Sequence, residues 1–322
     1  MSDVKVTLRM HIFVPPYIIW AVILFCLCLS YNGTKHTSPR SLIKVNNSKE
    51  SSLCFEGYLE CRSLIEPKQA IARAKAAIER ALVFDDRLPE AHALLGRIKQ
   101  NEWDWTGAER EYKRALELNP NHADAHHRYG EFLMLMGRHD QALKEIKQAQ
   151  ALDPLQIPLR QKEAWFLYAA RRYDEALEIL EDVNKLEPES HRPYFSLAFT
   201  HAAKGNYERA IEGFRKGIRS DGEASWTLCY LGYALAKAGY RKEAVDTLTK
   251  LKTTREYVSP AELAVLYVGL DKKEEAIALL EKAYAAHDLQ MQNLNVDPHY
   301  DSLRTDPRFQ ELVRRVGLRP RI

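Results

Sequence analysis

The chain has 322 residues, 28% of them charged and 46% hydrophobic, with a formal net charge of +3. Glu and Asp are interspersed with Lys and Arg, so the chain lacks the basic domain or cationic stripe that nucleic-acid binding needs. Gly and Pro, 14 of each, fall between amphipathic stretches, where helix punctuation belongs.

In chain order, residues 1–11 are a short tail and the first feature is "IFVPPYIIWAVILFCLCLSY" (12–31), 20 residues without a charge. Twenty apolar residues suffice for one crossing of a bilayer. Pro15 and Pro16 shorten the clean helix, so a cleaved signal peptide competes with an uncleaved anchor. Cys28-Leu29-Ser30 before Tyr31 is only a passable cleavage site, and Phe25 and Leu27 stand where a lipoprotein site needs a small residue. A single-pass transmembrane or signal-anchor helix is the expectation. Lys5 and Arg9 on one side nearly balance Lys35, Arg40 and Lys44 on the other, so loop charge does not set the topology.

Residues 32–52 are polar, Ser/Asn-rich and without periodicity, which reads as a flexible tether. Cys54 and Cys61 follow as a C-x6-C pair. Outside the cytoplasm they would suit a disulfide; two free thiols in a degenerate first repeat is the competing reading.

From here a 34-residue period governs the chain: Ala115, Ala149, Val183, Gly217 and Leu251 are each one period apart. Internal repeats outrank other sequence cues. Units begin near 55, 89, 123, 157, 191, 225 and 259. A small residue marks the first helix of each (Gly96, Gly130, Ala164, Ala198, Gly232, Ala264). Another marks the second (Ala74, Ala108, Ala142, Ala176, Ala210, Ala244, Ala276). Four residues later comes a bulky one: Tyr112, Ile146, Leu180, Phe214, Leu248 and Leu280. Small residues let two antiparallel helices approach closely, and large ones fill the gap to the next hairpin. Asn119-Pro120, Asp153-Pro154 and Glu187-Pro188 end the units. Arg62 and Asp86 break the pattern in unit one, Gly222 replaces the proline in unit five, and the junction "TTREYVSP" is shortened.

This small/small/large/Pro pattern resembles the tetratricopeptide repeat over roughly residues 55–290. The resemblance implies an all-α, right-handed α-solenoid of about seven helical hairpins over 53–290, closed by a C-terminal cap over 291–322. "EWDWTGAEREYKRALELNPN" (102–121) and "DPHYDSLRTDPRFQELVRRVGL" (297–318) further resemble the repeat arrays of bacterial transmembrane signalling proteins. With 11 residues before the apolar segment, that resemblance implies a sensory or docking module whose effector is separate, with the repeats outside the cytoplasm. "RFQELVRRVGL" (308–318) reads as an amphipathic helix covering the last apolar face.

In that family the first helix of each hairpin lines a concave groove. Carried over, the groove residues here are Arg97, His127, Glu131, Met134, Gln161, Trp165, Tyr168, Phe195, Phe199 and Tyr233. The aromatic middle suits an extended or helical apolar peptide, because rigid rings bury large area at low entropic cost. The alternative is that some of these rings pack between hairpins. Arg97 and Gln100, without lysines, do not make the family's carboxylate clamp.

Trp103 and Trp105 sit at the turn of unit two, either as a surface docking point or as a wedge between neighbouring hairpins. His122, His126 and His127 have the spacing for a shared metal. His126, however, repeats the position of His92 and so reads as an inter-hairpin packing residue. Nucleotide-binding, hydrolase, zinc-protease and redox motifs are absent from the sequence. The expectation is a membrane-tethered, non-enzymatic scaffold that binds a protein or peptide, with no cofactor, metal, small-molecule substrate or nucleic acid. A sensory subunit feeding a separate effector, and a factor in envelope or secretion complex biogenesis, are the alternatives.

Overall fold

The computed structural model describes residues 67–186 and 192–320. The apolar segment 12–31, the tether 32–52, and Cys54 and Cys61 lie outside those residues. The described residues contain no strand, and no helix among them is long and apolar enough to cross a membrane. The chain divides after Asp86 into two units. In the first, helix α1 (Pro67–Phe84) is described, and Val83 and Phe84 at its end are exposed.

The second unit holds six hairpins. They pair α2 (Pro89–Asn101) with α3 (Trp105–Leu118), α4 (Ala123–Leu135) with α5 (His139–Leu152), and α6 (Ile157–Ala169) with α7 (Tyr173–Leu186). The next three pair α8 (Arg192–Ala203) with α9 (Tyr207–Asp221), α10 (Ser225–Lys237) with α11 (Arg241–Thr253), and α12 (Pro260–Gly269) with α13 (Lys273–Ala285). Helix starts follow the expected units, and side-chain caps hold several of them. Asp104 accepts from the Gly107 N–H at 2.9 Å and Ser259 from the Glu262 N–H at 3.2 Å.

The small positions lie where the helices cross. Ala108, Ala142, Ala176, Ala210, Ala244 and Ala276 have no exposed surface, and Tyr112, Ile146, Leu180, Phe214 and Leu280 are buried beside them. A Cβ at Gly96 would sit 2.8 Å from the Tyr112 ring. The bulky residue here therefore closes over the small residue of its own hairpin, and not only over the gap to the next.

Each hairpin turns through one residue in the left-handed region. Positions 103, 137, 171, 205, 239 and 271 have φ of 61°, 74°, 66°, 84°, 93° and 60°. Three of the six are glycine. Asp271 is of a type that tolerates this conformation; Trp103 and Arg171 are not, and left-handed backbone costs such residues about 1–2 kcal/mol.

At the shortened junction the packing changes. Earlier incoming helices lie against the preceding second helix, whereas α12 packs mainly on α10. A Cβ at Gly269 would lie 2.7 Å from the Tyr233 Cα, so the two backbones are in close contact.

After α13 come two 3-10 turns, Leu289–Asn293 and Pro298–Leu303, and helix α14 (Pro307–Arg315). Asp288, Asp297 and Asp306 start these three elements in the same way. Each accepts the N–H two residues on, at 2.9, 3.0 and 2.9 Å. Helix α14 packs on α13 through buried Phe309, Leu312 and Val313. Pairs of Arg308 with Glu274 and Arg315 with Glu281 flank that contact.

Candidate peptide-binding inner face

In the first five of the six hairpins one position, at 34-residue steps, falls on the inner side: Arg97, Glu131, Trp165, Phe199 and Tyr233, on α2, α4, α6, α8 and α10. In the middle hairpins these positions join into an aromatic strip. Trp165 stacks on Tyr168 at 4.7 Å and meets Phe199 edge-on at 6.2 Å. Phe199 in turn lies edge-on to Tyr230 at 4.5 Å and Phe214 at 5.3 Å, and parallel to Trp226 at 6.2 Å. Trp165, Phe199, Trp226 and Tyr230 remain half-buried.

The chain's own C-terminal segment lies against this face. The Tyr168 hydroxyl donates to Asp297 Oδ1 at 3.2 Å and the Tyr230 hydroxyl to Asp297 Oδ2 at 3.4 Å. His299 holds Asp297 Oδ1 through Nδ1 at 2.7 Å. The imidazole is boxed by Tyr233, Tyr230 and Phe199, with centroids 4.6, 4.9 and 6.0 Å away. Its Nε2 is buried without a hydrogen-bond partner. Burial opposes ionisation of Asp297, but the His299 imidazole and the hydrogen bonds from His299 and Tyr168 outweigh it. They hold the carboxyl below the usual carboxylate range.

Further contacts extend along the array. Arg171 donates to the Val296 carbonyl at 2.8 Å and to Asp301 at 2.7 Å. Tyr300 reaches the Ala261 carbonyl at 2.8 Å, and Gln100 donates to Gln292 at 3.1 Å. The segment thus touches α2, α6, α8, α10 and α12 or the turns that follow them. Leu294, Val296, Tyr300 and Leu303 are at most 2% exposed.

A family model for the tetratricopeptide repeat matches residues 102–164 and 167–229, inside the hairpins just described. These residues are tetratricopeptide repeats. Its fold is similar to that of PilW, a widely conserved type IV pilus biogenesis factor. That likeness has a TM-score of 0.53 and 20% identity, over 67% of this chain and 98% of that one. A tetratricopeptide repeat protein from Parabacteroides merdae gives a TM-score of 0.56 at 16% identity, over 82% of this chain and 98% of the other. At these identities the likeness is one of fold. No curated protein matches the chain.

Of the residues expected to line an open groove, Gln161, Trp165, Phe199 and Glu131 keep partial exposure in this tetratricopeptide array. Arg97, His127, Met134, Tyr168, Phe195 and Tyr233 are buried, which corrects the expectation of an open cleft at those positions. Phe195 turns inward, against Trp226 at 4.9 Å and over Gly217. Arg97 is paired with Glu131 at 2.9 Å. Tyr168 and Tyr233 are covered by Asp297 and His299. The segment that reads as a polar cap for one end is long enough to run back along the inner face, and that is why those rings are covered.

The tryptophan turn also takes a role other than those expected. Trp103 stacks on His287 at 3.8 Å and on Tyr284 at 5.5 Å, and Trp105 Nε1 donates to the Val316 carbonyl at 2.7 Å. Trp105 additionally touches Phe132 of the next hairpin at 6.4 Å, as a wedge would. The main partner of the turn is nevertheless the far end of the same array, so the first and last of the six hairpins meet.

His92 and His126 bond Glu111 at 2.8 Å and Glu145 at 2.6 Å, each on the second helix of its own hairpin. These carboxylate partners lie within the hairpin. His126 Nε2 also donates to the Pro120 carbonyl at 2.8 Å, at the end of the preceding unit, so His126 ties its own hairpin together and joins it to the one before. Trp226, Tyr230, Arg171, Asp297 and His299 were not singled out from the sequence. For Arg171 a signal existed: it stands at a turn position that is glycine in three of the six hairpins.

Proposed function

We propose that the protein is a membrane-tethered scaffold that holds a protein or peptide partner against the inner face of its tetratricopeptide array. One observation carries this reading. The inner face already holds a segment of two short 3-10 turns and the chain between them, through a side-chain bond to its main chain, from Arg171 to Val296, and through aromatic contacts around His299. Side-chain bonds to backbone and boxes of aromatic rings are how peptide-recognition surfaces combine affinity with specificity. The half-buried strip of Trp165, Phe199 and Trp226 extends the same chemistry. The 20 uncharged residues of 12–31 would supply the tether.

The test is cross-linking of the full chain in its native membranes, followed by identification of captured proteins. Trp165→Ala should lose a specific partner that Lys144→Ala, on the outer surface, retains. A partner set identical in both variants would move recognition off the inner face. The tether is checked separately: the full chain should resist alkaline extraction from membranes, and deletion of 12–31 should release it.

A further inference from the structure

Resting on that reading of the inner face, we propose that Asp288–Arg304 is a releasable latch, which fills the inner face in cis and must let go before a partner peptide can occupy it. Three of the six hairpin turns place a residue other than glycine in left-handed backbone. At 137, 205 and 239 the array uses glycine; at 271 it uses Asp, which tolerates that conformation, and at 103 and 171 it uses Trp and Arg, which do not. Those two side chains reach the C-terminal part of the chain. Trp103 stacks on His287 at the segment's entrance, and Arg171 holds the Val296 carbonyl and Asp301 in its middle. Glycine would satisfy the backbone better at both places, so what these side chains add lies in what they touch.

The seat is also rich in polar groups. Asp288, Asn295, Asp297 and His299 of the segment, and Ser259 and Glu262 of the array, are all buried. Polar burial of this kind specifies orientation more than it adds stability, and the partnerless Nε2 of His299 is an unrecovered cost. Such an interface has the character of a bound ligand.

Both ends stay anchored when the segment lets go, because α13 precedes it and α14 packs back on α13. Release is then a looping-out that recloses readily. A partner must compete with an intramolecular ligand at an effective concentration of about millimolar or more, which sets a threshold for capture. The contacts define the chemistry admitted: a carboxylate for the Tyr168 and Tyr230 hydroxyls, and, two residues on, an imidazole or aromatic ring for the box of Phe199, Tyr230 and Tyr233.

Hydrogen exchange read by mass spectrometry on the full chain tests the latch, with Trp103→Gly/Arg171→Gly and, separately, Asp301→Ala. The second variant alters no residue of the hairpins, so it serves if the first fails to fold. Exchange in 289–304 should rise at least about tenfold while α6 and α8 stay protected. A synthetic peptide of residues 289–305 should bind the Asp301→Ala variant, whose hairpins are unaltered, at least about tenfold more tightly than the parent chain, since the cis competitor has been weakened. Exchange in 289–304 that stays unchanged, or that rises only together with α6 and α8, would make the segment ordinary core and overturn the latch. Release without peptide binding would uphold the latch and overturn the reading of the inner face as a peptide site.

Discussion

Trp103 and His287 come from opposite ends of the six-hairpin array and stack ring on ring, with centroids 3.8 Å apart. Both are held in left-handed backbone, with φ of 61° and 54°. His287 Nε2 also donates to the Asn101 carbonyl at 3.0 Å, beside the same turn. Two conformationally costly residues thus meet at the point where the array closes on itself.

The first prediction separates backbone strain from ring contact. Trp103→Ala removes the stacking but keeps a side chain in left-handed backbone, whereas Trp103→Gly removes both. Urea denaturation should show the glycine variant about 1 kcal/mol more stable than the alanine variant. In a double-mutant cycle with His287→Ala, the coupling should be about 0.5–1.5 kcal/mol. Equal stabilities for Ala and Gly would mean that the turn carries no strain.

The second concerns acid. Burial, reinforced by Lys162, pushes His127 down to about 4 from 6.5. Between those values the unfolded chain binds a proton that the folded chain refuses. Stability therefore falls as pH drops through that window, by about 3 kcal/mol at most. His127→Gln should flatten the stability curve between pH 6.5 and 4 and leave the region above it unchanged. A slope identical in the two proteins would show that His127 is protonated in the fold.

The third prediction tests the close crossing of α10 and α12. Gly269→Ala places a methyl 2.7 Å from the Tyr233 Cα, a backbone atom that cannot swing aside. The helices must part, at about 1–3 kcal/mol. Gly222→Ala meets nothing within 4 Å and carries only the strain of its φ of 88°. Thermal melts should place the Gly269 variant lower than the Gly222 variant.

The fourth distinguishes a surface ring from a core ring. Phe199, though half-buried, touches Trp165, Phe214, Trp226, Tyr230 and His299, so Phe199→Glu sets a charge against five rings and should destabilise the middle hairpins enough to lose helix. Trp165 is half-buried, and Trp165→Ala should cost less, at about 1–2 kcal/mol. Circular dichroism of the two variants decides the point: a fully helical Phe199→Glu protein would place that ring on the surface.

The hairpins are legible in the sequence because their physics is local. Small residues at Ala108, Ala142 and Ala176, bulky ones four positions on, and Asn-Pro or Asp-Pro stops act within one hairpin or between neighbours, so a period of 34 residues records them. Even there, the sequence placed His126 between hairpins, and the tertiary structure adds a partner, Glu145, within its own. What no period records is where the superhelix ends up. Closure of Trp103 on His287, and the return of Asp297 and His299 to Tyr168 and Tyr230, depend on the turn accumulated over six hairpins and on the length of the tail that follows. Those contacts are long-range and non-repeating. The repeat register determines which side chains face inward. Only the tertiary structure decides that the chain's own C-terminal segment covers them.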